Sequence, residues 1–277
     1  MSTKTDAVLG ITGGRESGIP FAYPDIRDND VSLECIFSSG LLPEAYLSDD
    51  YDTVLKGYVA QYTESVIHNP KVVRQSPVFP AFLKAAAACN GEVMNALKTG
   101  REIGVGFSTA SNWYKVLTDT HMGFELTSFT GADYDSTVKK PRFCFSDVGV
   151  LRTLLGCDTP NKTDPEYEVF FRTFMVNEIR AYLDRSGKSK EYPLTYWENK
   201  SGHDVSAVIG DKVAILFKAD IFVNYRDLRG LVYFSEESIT ERQIIVCSEK
   251  ERCLVDEAFP VYYWKDFLED LWGGKIV

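Results

Sequence analysis

Residues 196–218 read YWENKSGHDVSAVIGDKVAILFK, and this stretch decides the fold of the second half of the chain. Apolar and β-branched residues dominate two runs within it, Val205–Ile209 and Val213–Phe217, and both runs predict β-strands. The Gly-Asp-Lys sequence at 210–212 suits a tight turn, so we expect these two strands to form a hairpin. A further run, Leu194–Trp197, predicts a strand immediately before the hairpin.

Helices and another strand are predicted on either side of this hairpin. Apolar residues recur at three- and four-residue steps over Tyr167–Leu183, which is typical of a helix. After the hairpin we expect a short helix around Asp227–Phe234, a strand at Gln243–Cys247 and a terminal helix at Val261–Leu271. The polar segment Cys157–Pro165, with two prolines, is the best candidate domain boundary.

The first half of the chain has a predominantly helical pattern. Segments at Glu92–Thr99 and Ser108–Asp119, separated by a glycine-containing turn, are typical of a helix-turn-helix. Strand-like residues at Phe124–Phe129 and Phe143–Phe145 would supply the two strands of a wing. We therefore predict a winged helix in this half.

Composition and charge restrict the classes of function. The 277 residues include 30 Lys and Arg and 40 Asp and Glu, giving a formal net charge of −10 and a pI near 4.9. Such a charge repels nucleic acid and anionic membranes. The six cysteines are scattered without a Cys-x-x-Cys pair, which argues against a structural zinc site. With no apolar run of spanning length and no signal-peptide pattern at residues 1–6, we expect a cytoplasmic protein without membrane contact.

Duplex binding by the winged helix is an alternative with limited support in the charge pattern. Between Glu92 and Phe129 there are three basic and four acidic residues, whereas DNA-binding proteins commonly neutralise about six to ten phosphates. The side chains that would read nucleic acid are Asn112 and Lys115 in the second helix, and Lys139, Lys140 and Arg142 after the wing loop. We give more weight to a structural or protein-contact role for this module.

A glycine-rich segment, Gly10–Gly18, lies near the start of the chain. A phosphate-binding loop would need Gly-Lys-Ser/Thr after the glycines, so that the lysine and hydroxyl reach phosphate and magnesium. That sequence is absent here, and we interpret the segment as an ordinary glycine turn without a nucleotide cofactor.

Several stretches of the chain are similar to one known family. They resemble the C-terminal region of a large prokaryotic family of AAA-type ATPases. In that family, a P-loop ATPase module is followed by a winged helix and a PD-(D/E)XK (restriction-endonuclease-like) domain of uncertain role. The similar stretches are GLLPE at 40–44, FSDVG at 145–149, LLG at 154–156, FFRTFMVNEIRAYL at 170–183, YWENKSGHDVSAVI at 196–209 and VAILFK at 213–218.

The resemblance covers about residues 35–277 and implies a chain of the mixed α+β class without the ATPase module. Residues 1–44 are rich in Gly, Ser, Pro and Asp, which predicts an irregular N-terminal segment. The resemblance implies a helical and winged-helix domain at 45–157 and a PD-(D/E)XK nuclease-like α/β domain at 158–277. Residues 1–34 would be either a remnant of the ATPase module or new sequence.

The resemblance also implies where a nuclease site would lie. Such a site needs an Asp on one strand and Glu-x-Lys on the next, often with a helix glutamate, so that the carboxylates hold magnesium. The helix acid falls on Glu178 and the lysine on Lys218, but the Asp position holds Ser206 and the Glu position holds Leu216. Asp204 could replace the lost Asp, since residues two apart in a strand share a face.

Two hypotheses follow from these residues, besides the winged-helix DNA-binding protein considered above. The first is a non-catalytic binding or interaction protein with a degenerate nuclease-like domain, a protein partner and no cofactor. The second is a metal-dependent nuclease, using Mg²⁺ or Mn²⁺ at a site rearranged around Glu178, Asp204 and Lys218. Under the first hypothesis we expect Lys218 to pair with Glu178 or Asp204, or to extend its ammonium into water, because an unpaired buried charge is costly.

Overall fold

The computed structural model describes residues 19–27, 31–67, 77–130, 138–219, 225–237, 240–249 and 259–277. These residues form helices and one mixed β-sheet, which places the chain in the mixed α+β class, as predicted. The glycine segment 10–18 lies outside the described residues. In the part of the chain that the structure describes, no helix is long and apolar enough to cross a membrane.

The chain divides into two compact units. Unit 1 comprises residues 1–124 and 143–161, and unit 2 comprises residues 125–142 and 162–277. Unit 1 therefore ends inside the predicted boundary segment Cys157–Pro165. Residues 125–142 group with unit 2, although the sequence pattern assigned them to the first half.

Unit 1 is built mainly from helices. The part of the region 1–44 that the structure describes is not irregular, since it contains α1, α2 and the start of α3. In chain order the helices are α1 (Tyr23–Ile26), α2 (Leu33–Ser39), α3 (Pro43–Tyr46), α4 (Tyr51–Ile67), α5 (Phe79–Ala88), α6 (Ala96–Ile103), α7 (Phe107–Asp119) and α8 (Val148–Leu155).

The turn between α6 and α7 follows from a few local residues. The Asn95 side chain accepts a hydrogen bond from the Lys98 N–H at 3.0 Å, so it caps α6, which begins later than the predicted start at Glu92. Gly104 ends α6 in the left-handed conformation, with φ of 77°. The turn passes close to α6 at Gly100, where a Cβ would lie 2.8 Å from the Val105 carbonyl oxygen.

Asp147 joins two stretches of unit 1 that are far apart in the sequence. Its carboxylate accepts hydrogen bonds from the Leu41 N–H at 2.6 Å and from the Val150 N–H at 2.9 Å, so it caps α8. A Cβ on Gly40 would lie 2.2 Å from this carboxylate, and a Cβ on Gly149 would lie 2.7 Å from the Gly40 nitrogen. Burial raises the pKa of Asp147, against the effect of its backbone hydrogen bonds. The GLLPE stretch at 40–44 and the FSDVG stretch at 145–149 thus contact each other through Asp147.

Unit 2 combines strands with three helices. The first two strands of the chain, β1 (Gly123–Ser128) and β2 (Arg142–Phe145), each include residues of both units. The remaining elements are α9 (Pro165–Arg185), β3 (Leu194–Glu198), β4 (Asp204–Ile209), β5 (Val213–Lys218), α10 (Tyr225–Glu237), β6 (Arg242–Cys247), β7 (Val261–Tyr263) and α11 (Trp264–Trp272).

The strands form one sheet in the order β2-β1-β3-β4-β5-β6-β7. Strands β3, β4 and β5 are antiparallel, as the hairpin pattern predicts, while β6 is parallel to β5 and β1 is parallel to β3. The prediction of a helix over Val261–Leu271 is wrong at its start. Val261–Tyr263 is a strand because it pairs with β6, with Val261 opposite Ile245 and Tyr263 opposite Cys247.

The pairing of β3 with β4 contains an irregularity. Thr195 lies opposite Val208 and Trp197 lies opposite Val205, so two residues of β4 oppose Tyr196 alone. An extra residue of this kind is a β-bulge, which bends the strand and interrupts the alternation of side chains between the two faces.

Apolar side chains from the sheet and α10 form a core of unit 2. Leu216, which occupies the Glu position of the nuclease pattern, is 2% exposed and belongs to this core together with Leu231 and Phe234 of α10. Phe217 contacts Phe171 of α9, with ring centroids 6.3 Å apart.

Candidate functional site

The first residue of β4 lies in a cluster of charged side chains, all of them in unit 2. Asp204 Oδ2 accepts hydrogen bonds from Arg142 Nη1 at 3.0 Å and from Arg172 Nη1 at 3.1 Å. Arg142 also donates to Glu198 at 2.8 Å, and Arg172 donates to Glu168 at 3.0 Å. The Asp204 carboxylate is thus held between two guanidinium groups, each of which has a second carboxylate. We call the full set the ion cluster; its members are Arg142, Glu168, Arg172, Glu198, Asp204, Lys218 and Asp227.

Each element of unit 2 contributes to this cluster for a local reason. Glu168 and Arg172 are four residues apart on α9, which places them on one face of the helix. Glu198 and Asp204 lie directly opposite each other in the β3–β4 pair. Like charges that face each other across a strand pair repel, and Arg142 offsets this repulsion by binding both carboxylates.

The approach of α10 to this point depends on a glycine. A Cβ on Gly230 would lie 1.9 Å from the Asp204 carbonyl oxygen and 2.8 Å from the Asp204 carbonyl carbon. No side chain can be accommodated at that distance, since the neighbouring atoms are backbone. Gly230 therefore lets α10 pack directly on the start of β4.

Ser206 does not stand in for a metal-binding Asp. It lies in the β-bulge, and its Oγ accepts a hydrogen bond from the Phe217 N–H of the neighbouring strand at 3.2 Å. The irregularity at Ser206 and Ala207 comes after the step from Asp204 to Ser206, so the expectation that these two residues share a face stays a prediction. Asp204 itself contacts Arg172 of α9.

Lys218 pairs with residues that the sequence did not indicate. Its Nζ lies 3.1 Å from Asp227 Oδ1 and 3.5 Å from Glu168 Oε2, and the side chain is 15% exposed. The prediction that it pairs with Glu178 or Asp204, or extends into water, is therefore wrong. Glu168 is the α9 acid that reaches the lysine, and it lies about 15 Å along the helix from Glu178.

Glu178 occupies a different part of α9. It is 2% exposed, and its Oε2 accepts a hydrogen bond from Trp272 Nε1 of α11 at 3.2 Å. Arg172, the α9 residue that binds Asp204, lies about 9 Å away from it along the helix axis. The structure thus places Asp204 and Lys218 in the ion cluster, and Glu178 in a separate contact with α11.

The cluster favours the ionised forms of Asp204 and Arg142. Burial raises the pKa of Asp204, but the positive charges of Arg172 and Arg142 outweigh burial and hold that pKa below its ordinary value. Burial lowers the pKa of Arg142, and its two carboxylate partners more than reverse the effect. The Arg142 guanidinium also lies over the Tyr196 ring, 4.3 Å from its centroid.

These residues do not fit the magnesium ion that the nuclease resemblance implies. A magnesium ion is held through carboxylates, and here the two strand positions offer a hydroxyl already bonded to Phe217 N–H and a buried Leu216. Asp204 remains, but two guanidinium groups occupy its oxygen and would repel a cation. Among the described residues, no group of three or more His, Cys, Asp or Glu side chains could hold a metal ion.

The residues predicted to contact nucleic acid are divided between surface and interior. Lys139 and Lys140 are exposed, but Arg142 is only 6% exposed and its guanidinium is bound in the ion cluster. Arg142 is therefore not an exposed member of a basic cluster, because Glu198 and Asp204 hold it in the interior. Asn112 and Lys115 are both exposed on α7.

Sequence reasoning missed Arg142 as a structural residue, and it missed Glu168, Arg172 and Asp227 altogether. One signal for two of them was available, since Glu168 and Arg172 have the four-residue spacing of a helical ion pair. Their contact with Asp204 and Lys218 depends on the packing of α9 on the sheet, which no local pattern contains.

Comparisons with known proteins give one match. A family model described as a domain of unknown function, DUF8612, matches residues 32–161. No curated protein and no solved structure matches the chain. The match ends at the last residue of unit 1, and the ion cluster lies outside it apart from Arg142.

Proposed function

We propose that this protein acts by binding a partner and not by catalysis. In this proposal α5, α6, α7, β1 and β2 are a winged helix, and α9, β3, β4, β5, α10 and β6 are a PD-(D/E)XK nuclease-like domain. The order of the elements, the antiparallel β3-β4-β5 arrangement and the parallel β5-β6 pair support these two assignments.

The observation that carries the proposal is the state of the Asp204 carboxylate. Both guanidinium groups that bind it come from its own chain, Arg142 and Arg172, and both are themselves paired with a second carboxylate. A nuclease rearranged around Asp204 would need this carboxylate to hold a cation together with other carboxylates, whereas here it is bound by two cationic side chains of its own chain. Lys218, the remaining residue of the nuclease pattern, pairs with Glu168 and Asp227. The cluster thus has a structural role.

A protein is the favoured partner. The formal net charge of −10 repels nucleic acid at long range, and one of the predicted nucleic-acid contacts, Arg142, is buried. Binding to a protein partner does not require the neutralisation of many phosphates, so it is compatible with the net negative charge of the chain.

A cleavage assay tests the proposal. Supercoiled plasmid, duplex DNA and single-stranded DNA are incubated with Mg²⁺ and then with Mn²⁺, using the wild type and Lys218→Ala purified identically. Lys190→Ala is the matched control, since Lys190 is an exposed lysine of the same unit. We expect the same background in all three proteins, and no saturable Mn²⁺ binding by electron paramagnetic resonance.

The alternative, a nuclease rearranged around Glu178, Asp204 and Lys218, predicts a different pattern. Cleavage by the wild type and Lys190→Ala that is absent from Lys218→Ala would overturn the proposal, provided that circular dichroism shows all three to be folded. Saturable Mn²⁺ binding that disappears in Asp204→Asn would overturn it as well.

A further inference from the structure

Two large apolar side chains are exposed on the helix pair α6 and α7 of unit 1, and basic side chains are exposed on the same two helices. Phe107, the first residue of α7, is 59% exposed, and Leu97 of α6 is 46% exposed. Among the described residues, Phe107 has the largest exposed fraction of any large apolar side chain. We call this surface the α6–α7 face; its members are Leu97, Lys98, Arg101, Phe107, Asn112 and Lys115.

The backbone under this face is firmly held. Trp113, Tyr114 and Leu117 anchor α7 from its buried side, and Tyr114 accepts or donates a hydrogen bond with Thr99 of α6 at 3.1 Å. Close contact at Gly100 fixes the second helix against the first. Side chains on a rigid helix pair lose little backbone freedom when a partner binds, which favours affinity.

The charge of this face is opposite to that of the whole chain. Over the two helices, Ala96–Asp119, there are three basic residues and two acidic ones, Glu102 and Asp119, a surplus of one positive charge, whereas the chain as a whole has 30 basic and 40 acidic residues. Lys98, Arg101 and Lys115 are all exposed. A local positive surplus on an acidic protein attracts a negatively charged partner to this face in particular.

The combination of charges and apolar groups discriminates between negatively charged partners. DNA-binding proteins commonly neutralise about six to ten phosphates, and three cations fall short of that number. Exposed Phe and Leu side chains contribute most when they fill pockets between apolar side chains, as in protein interfaces. We infer that the α6–α7 face binds an acidic, amphipathic segment of a partner protein. Leu97 and Phe107 take its apolar side chains, and Lys98, Arg101 and Lys115 take its carboxylates.

This inference rests on the proposed function in one respect, that the protein works by binding. A displayed library of random 16-residue peptides tests it with the full-length chain. Peptides are selected on the wild type and counter-selected on Phe107→Ser. Ile19→Ser is the matched control, because Ile19 is 49% exposed in the same unit but outside this face.

We expect the surviving peptides to be enriched in Asp and Glu, with Leu, Phe, Trp or Met at helical spacing. Phe107→Ser should weaken individual peptides by about tenfold or more. Ile19→Ser should leave the affinity unchanged. Arg101→Glu should weaken binding by a smaller factor that decreases as salt is added.

Three outcomes would overturn the inference. Selected peptides that are not enriched in acidic residues, or that bind the wild type and Phe107→Ser with equal affinity, would show that the face does not bind an acidic amphipathic segment. Binding of a mixed 20-base-pair duplex that is lost in Lys115→Ala would assign the face to DNA. A dimer in sedimentation experiments that dissociates in Phe107→Ser would assign it to a second copy of the chain. None of these measurements involves cleavage, so a failure here is distinct from a failure of the proposed function.

Discussion

The ion cluster of unit 2 and the α6–α7 face of unit 1 use the same residue types in opposite ways. In the ion cluster, Arg142 and Arg172 are bound to carboxylates of their own chain. On the α6–α7 face, Lys98, Arg101 and Lys115 are exposed, and so is Phe107. The comparison shows that a charged residue at a motif position does not define a site. What matters is whether the chain itself already supplies the partner.

Replacement of Gly230 tests how tightly α10 packs on the start of β4, next to Asp204 of the ion cluster. Replacing Gly230 by Ala places a Cβ 1.9 Å from the Asp204 carbonyl oxygen, and the backbone can relieve this contact only if α10 or β4 moves. We expect a loss of about 3 kcal/mol or more in the free energy of unfolding, the largest effect considered. Urea unfolding followed by tryptophan fluorescence measures it, since Trp197, Trp264 and Trp272 lie in unit 2.

Gly57→Ala is the control for that substitution. Gly57 lies in α4 and is exposed, and a Cβ added to it would meet no atom within 4 Å, so the exchange should stabilise by about 0.5–1 kcal/mol. Equal effects of the two substitutions would show that the packing of α10 on β4 is looser than the contact at Gly230 indicates.

Removal of the central carboxylate of the ion cluster should have the next largest effect. Asp204→Asn leaves Arg142 and Arg172 without their shared carboxylate in a partly buried position. We expect a loss of about 2–3 kcal/mol, less than for a fully buried pair because the Asp204 side chain is 24% exposed. Asp184→Asn, at an ion pair whose acid is 55% exposed, should change the free energy of unfolding by less than about 0.5 kcal/mol.

The same pair of proteins gives a pH dependence of known sign. The pKa of Asp204 is lower in the folded chain than its ordinary value of 3.8, so folding favours the ionised form. The stability that the carboxylate contributes is therefore full at pH values well above 3.8, and it is lost as the pH falls through the lowered pKa. The difference between wild type and Asp204→Asn should shrink in that acidic range. A difference that grows on acidification would contradict the assigned direction.

Much of the fold of unit 2 was predictable, because alternation and turn chemistry are local. The predicted strands at Val205–Ile209 and Val213–Phe217 are confirmed, with β4 and β5 each one residue longer. The bulge opposite Tyr196 was not predictable, since it appears only in the register between two strands. For the same reason the contact of Asp204 with Arg172 could not be found, as the two residues lie on separate elements.

In unit 1 the sequence indicated two side chains of α7 as candidate contacts, but not the apolar surface on the same helix. Asn112 and Lys115, named from the sequence as candidate contacts with nucleic acid, are exposed. The exposure of Phe107 was not predicted, because an aromatic residue at the start of a helix is more often buried. Only the position of α7 relative to α6 and to the buried side chains of unit 1 leaves it at the surface.

Substitutions on the α6–α7 face should have the smallest effect on the free energy of unfolding, in contrast to those in the ion cluster. Asn112→Ala and Lys115→Ala remove exposed side chains of the α6–α7 face, and each should change the free energy of unfolding by less than about 0.5 kcal/mol. Urea unfolding beside Asp204→Asn makes the comparison in one experiment. A loss above about 1 kcal/mol from Lys115→Ala would mean that this lysine has a structural partner within the chain. The α6–α7 face would then resemble the ion cluster, with its charges already occupied, and unchanged stability would leave them available to a partner.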